Sequence, residues 1–340
     1  MWIYSFSDST IALSAKGAVL MEKEKKRRIG IISGLGIVIL AIIVFCVYRL
    51  LDWDSRSISV NTADIEEGEF DIEVQDMYIY PSEEDFPNHI KDDVEDILVL
   101  GNVYANNNGT EHSILNMLKD NLDAKFYDLT IDTSRISCDG PDIAYGWDAA
   151  SLYHVVWELD QKDVSYLLCT DWADLFRVED RYYEMLETFK SVDLNKIDTV
   201  IIMYNLIDYY NGKAAFAIAE DDVRGVRGSL EQSLTLLQRN YPHLNIILVS
   251  PYPSVYTDEN GKLVYSSQTD YGLMTSSYYF ENIYYVATKY CVSFVDNYSY
   301  GINESNITEY VENTMLTDKG IDFLGQHIIN FIKNKGEANY

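Results

Sequence analysis

The chain has 340 residues, 47% of them hydrophobic and 24% charged, enough for one sizeable globular domain with further segments. A formal net charge of −28 argues against nucleic acid, anionic lipid or phosphate-rich polymers as partners. Four cysteines without Cys-x-x-Cys spacing exclude a disulfide scaffold and give no sign of a metal or cofactor.

Residues 1–28 read as a short cytoplasmic N-terminus, with 1–20 an extension upstream of a start at Met21. The run 29–48 holds 20 residues without a charge, enough helix to cross a bilayer core of roughly 30 Å. Lys23-Glu24-Lys25-Lys26-Arg27-Arg28 precedes it, and Asp52 and Asp54 follow. The positive-inside bias therefore predicts a single-pass anchor over 29–51 in the cell membrane, with everything after it extracytoplasmic. A cleaved signal peptide fits poorly, because the apolar run is long and no small-x-small site follows it. Seven of the 26 basic residues precede residue 52, against three of the 54 acidic ones, so the negative charge lies outside the membrane.

Residues 52–94 are acidic and aperiodic, with Glu66-Glu67-Gly68-Glu69 and Pro81-Ser82-Glu83-Glu84-Asp85. They read as a stalk with a short strand near 70–74. Beyond it the texture changes to strands alternating with helices, the signature of a parallel sheet in an α/β domain. Strands are predicted over 97–100, 125–131, 199–204, 246–250 and 292–296. Helices are predicted over 111–122, 149–161, 182–191, 223–240, 277–289 and 318–335. Asp258-Glu259-Asn260-Gly261-Lys262 marks a small hairpin after the fourth strand. Thr110, after Asn108-Gly109, reads as the cap of the first helix. Cys169 and Cys291 sit in apolar runs and read as core residues.

Four segments bear on chemistry. Ile97-Leu98-Val99-Leu100-Gly101-Asn102-Val103 is a buried strand entering a glycine turn, and the second strand runs into Ile131-Asp132-Thr133-Ser134. The third strand ends in Tyr204-Asn205-Leu206-Ile207-Asp208-Tyr209. Glu312-Asn313-Thr314-Met315-Leu316-Thr317-Asp318-Lys319-Gly320 leads into the last amphipathic helix. Their order and flanks resemble the SGNH/GDSL hydrolase family over about residues 96–332. The resemblance implies an α/β class for 95–335, a three-layer α/β/α domain with a five-stranded parallel sheet, flavodoxin-like in order.

In that family the segments would read Gly-Asp-Ser, Gly-x-Asn-Asp and Asp-x-x-His. The resemblance puts the nucleophile position at Val103, the amide donor at Ile207 and the base at Met315, with Glu312 at the orienting carboxylate. Asp132 stands near the position of the family's oxyanion glycine. A valine has no lone pair or proton to offer, an isoleucine no amide and a methionine no basic nitrogen. Asp132 would set a negative charge where an oxyanion must form. Losing a nucleophile or base alone lowers kcat by about 10⁶ in a triad enzyme.

No catalytic residue is therefore expected, and the domain reads as a pseudoenzyme with a binding or assembly role at the cell envelope. Its expected partners are the membrane and either a surface glycan or an envelope enzyme, with the chain's 28 tyrosines as candidate stacking faces. The residues left to line the cleft are Asn102, Asn205, Asp208 and Glu312, with Asn205 a substitute amide donor. Asp132, Asp208 and Glu312 form an alternative carboxylate cation site. His327, twelve residues past Met315, reads as a partly buried helix residue. The opposing reading is an active esterase or acetylesterase that uses other groups.

Overall fold

The computed structural model describes residues 73–335 except 83, 103, 105–110, 132–133, 141–145, 169–178, 217–218, 220–221 and 272–273. The expected anchor at 29–51 lies outside them, and no helix of the described residues is long and apolar enough to cross a membrane.

The sheet is built from β1 (Glu95–Gly101), β2 (Ala124–Thr130), β3 (Thr199–Met203), β4 (Asn245–Val249) and β7 (Ser293–Val295), all parallel in the order β2-β1-β3-β4-β7. The helices are α1 (Ile114–Asn121), α2 (Leu152–Gln161), α3 (Ser165–Leu168), α4 (Glu179–Ser191), α5 (Ile207–Tyr210), α6 (Val226–Asn240), α7 (Ser276–Tyr290), α8 (Ile307–Tyr310) and α9 (Asp318–Lys333). Both faces of the sheet are covered, so its strands are continuous apolar runs rather than alternating ones. Leu98, Leu100, Val200, Ile202, Ile246 and Leu248 point into a core shared with α2, α4, α6 and α7. Their neighbours Ile97, Val99, Ile201, Met203, Ile247 and Val249 point the other way, into a core with α1 and α9. The result is the expected three-layer α/β/α arrangement. Two hairpins decorate it: β5 (Val255–Thr257) with β6 (Leu263–Tyr265), and β8 (Val311–Glu312) with β9 (Met315–Leu316).

Three expectations change. The cap of α1 is Ser113, whose Oγ accepts from Asn116 N at 3.1 Å, so the helix starts at Ile114; Thr110 lies outside the described residues. Cys291 is exposed rather than in the core, because it is the left-handed C-cap of α7 at φ 51° and turns away from the sheet. Cys169 lies outside the described residues.

The third change concerns residues 73–94, placed in the stalk by composition, which dock on the domain. Met77 exchanges two backbone bonds with Phe294 on the free edge of β7, at 2.9 and 2.7 Å. Ile90 N donates to Asn195 O at 2.8 Å, and His89 Nε2 lies 3.0 Å from Asp198 Oδ1. The strand-like contact falls at Met77, not at 70–74, and it covers a sheet edge that would otherwise be open.

Candidate functional site

The strand order reverses between β1 and β3: α1 leaves β1 toward one face, and α6 follows β3 on the other. In open α/β sheets the crevice beyond the strand ends at such a point is where ligands bind. β1 and β3 approach each other closely there, since a Cβ on Gly101 would lie 1.8 Å from Met203 O. Glycine is required to let the strands end side by side.

Just past these ends, Asn102 and Asn205 face each other. Asn102 Nδ2 donates to Asn205 Oδ1 at 2.9 Å and to Ser134 O at 3.2 Å. Asn102 Oδ1 accepts from Asn205 N at 3.1 Å and from Tyr104 N at 3.2 Å. Asn205 Oδ1 accepts a second bond from Ile207 N at 3.0 Å. Every donor and acceptor of the Asn102 amide is engaged, and the side chain is fully buried. The two asparagines thus tie the ends of β1 and β3 and the loop after β2 across the switch point.

Asp208, in α5, turns away from this pair. Its carboxylate accepts from Ile136 N at 2.9 Å and from Ser137 N at 3.1 Å, and the Ser137 hydroxyl donates to it too. Burial holds its pKa above the ordinary carboxylate value, against those bonds and the nearby Arg135 charge. Asp208 therefore shapes the loop after β2. Its oxygens are spent there and do not join Glu312 in a carboxylate site. Ile207 opens α5, half-buried.

The fourth segment is a tight hairpin. Asn313 and Thr314 take the left-handed turn, with φ of 46° and 70°, so Glu312 and Met315 become paired neighbours. Glu312 is exposed and Met315 half-buried. The turn is fixed by Thr314 N on Val255 O at 3.0 Å and by the Tyr252 hydroxyl on Thr314 O at 3.0 Å. Thr317 then caps α9, accepting from Gly320 N at 3.2 Å. Gly320 must be glycine, because a Cβ there would meet Tyr310 O at 2.2 Å. Val103 and Asp132 lie outside the described residues.

Three polar groups escape a linear reading because their members come from distant segments. His327 is buried: Nε2 lies 2.8 Å from Asp76 Oδ2, Nδ1 lies 2.8 Å from Asn297 Oδ1, and its ring stacks on Tyr300 at 3.5 Å. His112, in the loop after β1, lies with Nε2 3.3 Å from Asp322 Oδ1 on α9, both exposed. Among the described residues, Cys138, Asp148 and His154 form the one group of three that could hold a metal ion. Burial and the Asp148 charge push the Cys138 thiol up to about 12, which makes it no nucleophile as it stands.

No protein-family model matches the chain, and no curated protein matches it either. One solved structure, 14% identical, covers 71% of this chain and 97% of its own with a TM-score of 0.51. A Lactobacillus plantarum protein, 16% identical, covers 71% and 97% with a TM-score of 0.48. A possible lipase from Chitinophaga pinensis, 9% identical, covers 72% and 99% with a TM-score of 0.46. Likeness at these identities concerns the fold and not the activity. At 14% identity the structure with a TM-score of 0.51 supports a shared fold for the α/β domain with its five parallel strands.

Proposed function

We propose that this domain is a non-hydrolytic SGNH-type binding module, held outside a membrane by the 29–51 segment, whose ligand is a surface glycan or an envelope enzyme. The observation that carries the reading is the reciprocal Asn102–Asn205 pairing at the switch point. The Asn102 amide sits where a hydrolase of this fold would keep polar groups poised for substrate, and here it is spent on the side-chain oxygen and the backbone N–H of Asn205. The aliphatic hydroxyl nearest in sequence on a described residue, Ser113, is buried and spent on capping α1. Ile207 and Met315 offer neither amide nor base at the positions that the family resemblance assigns to them. Exposed tyrosines, Tyr183 at 60% and Tyr278 at 45%, supply faces suited to stacking on sugar rings.

The test is turnover of aryl acetates and acetylated glycans by the full chain in detergent. The expected result is a rate equal to buffer, together with binding on a glycan array or capture of an envelope enzyme. Turnover that disappears in a Thr110→Ala or His112→Ala variant would overturn the reading in favour of an esterase. His112 is the group to watch, because its contact with Asp322 is the acid–base pair carried by the loop after β1.

A further inference from the structure

We propose that Cys138, Asp148 and His154 bind a zinc-class divalent cation that pins the loop following β2. One ligand atom from each residue lies within 4.8 Å of the other two, and all three residues are buried. They converge from three places: Cys138 from the loop after β2, Asp148 from a 3₁₀ turn (Gly146–Ala150), and His154 from the first turn of α2. A sulfur, a ring nitrogen and a carboxylate oxygen form a mixed donor set. Such a set suits zinc and its borderline neighbours rather than magnesium or calcium, which favour oxygen alone.

The surroundings hold these groups in the way ligands are held. His154 Nδ1 lies 2.8 Å from Asp148 O. A carbonyl oxygen only accepts, so this contact orients the ring toward the other two groups. Ser151 Oγ, 3.0 Å from Nδ1 and 2.7 Å from the same carbonyl, fixes the ring further. The Asp148 carboxylate is oriented by Asp139 N, 2.8 and 3.0 Å from its two oxygens, and by Arg135 Nη2 at 3.3 Å. The Arg135 charge is shared with Asp139 at 3.5 Å, so it is not a bare cation beside the site.

Cys138 Sγ lies 3.1 Å from Gly140 O and 3.3 Å from Val223 O, and Val223 O also accepts from Cys138 N at 3.1 Å, so the loop holds the sulfur in place beside the other two groups. On binding, the Cys138 S–H bond breaks, its proton leaves to water and the sulfur bonds to the ion, with no electron transferred. Burial of all three residues makes the role structural. The same loop supplies the N–H groups of Ile136 and Ser137 that hold Asp208, so the ion would stiffen one wall of the switch-point crevice. The proposal stands whether or not the domain hydrolyses esters.

The full chain, purified in detergent without chelators, would be analysed for metal and then stripped and titrated with cobalt(II). The expected outcome is close to one equivalent of zinc and a thiolate-to-cobalt charge-transfer band in the near ultraviolet. Cys138→Ser loses that band and Cys291→Ser retains it, while His154→Gln weakens cobalt binding by at least about tenfold. Added zinc raises the thermal midpoint of the wild type, as binding to the folded state requires. A folded wild type with no zinc, no band and a midpoint indifferent to zinc overturns the proposal, as does a band that follows Cys291. The wild-type readings decide the matter even where Cys138→Ser fails to fold.

Discussion

Asn102 stands at a position where its neighbours dictate an amide. Its nitrogen faces two oxygens, Ser134 O and Asn205 Oδ1, while its oxygen faces two N–H groups. An Asn102→Asp change would set a carboxylate oxygen against both acceptors at a fully buried position. The expected loss is about 1–3 kcal/mol of stability, read from urea unfolding of the full chain. An unchanged midpoint would mean that the pairing does not hold the strand ends. Asp208 makes a pH-dependent case. Burial raises its folded pKa above the ordinary 3.8, so the folded state prefers the protonated form. Its contribution is fully present below that ordinary value and is lost as pH rises through the folded pKa. Asp208→Asn removes that dependence and leaves one amide oxygen for donors that now use two. The variant should be less stable than wild type, with the gap widening as pH falls from 7 toward 4. A constant gap would count against the raised pKa.

Among the elements, the N-terminal segment of the domain is held by side chains rather than by a long strand. Asp76 accepts from His327 Nε2 through Oδ2 and from Asp296 N through Oδ1, both at 2.8 Å, and Gln75 N returns to Asp296 Oδ2 at 2.9 Å. Asn297 links His327 to the Tyr104 hydroxyl, and Tyr104 packs edge-on against Tyr252, which holds the Thr314 turn. The chain of contacts runs from β7's edge to two loops of the switch-point crevice. Asp76→Ala would leave His327 and Asp296 N without their partner. We expect a loss of about 1–3 kcal/mol and faster hydrogen exchange at the Met77 and Phe294 amides, with β1 and β3 still protected. Unchanged exchange at those two amides would refute the clamp. This segment also shows where sequence reading stops. The five strands were legible because buried parallel strands are unbroken apolar runs, and α9 was legible from its Thr317-x-x-Gly320 start. Asp76 and His327 lie 251 positions apart, and nothing local to either marks the other. Ser113 and Thr110 compete for one cap within three residues, a choice that tertiary contacts make. The Asn102–Asn205 pair was legible as two candidate cleft residues, but not as a mutual lock, because each partner is polar for reasons that only the strand order supplies.

For the whole molecule, charge and anchoring make one argument. The surplus of acidic residues lies after residue 51, so this part has no electrostatic affinity for an anionic bilayer and would be repelled by it at low salt. In the proposed arrangement, stable membrane association comes from the apolar 29–51 run, and the flanking Lys23 to Arg28 cluster gives its direction. Two outcomes follow from that division of labour. The full chain should remain in the membrane fraction through high salt and alkaline carbonate and be released by detergent, while a chain lacking residues 1–51 should not float with anionic vesicles at any salt concentration. Direction can be read from Cys291, which is exposed, whereas Cys138 is buried and should react slowly. A membrane-impermeant maleimide applied to intact cells should label a Cys169→Ser variant, and adding Cys291→Ser should remove most of that label. Labelling that appears only after the membrane is permeabilised would place the domain on the cytoplasmic side. It would reverse the orientation drawn from the basic cluster, and with it the expectation of a glycan or envelope partner.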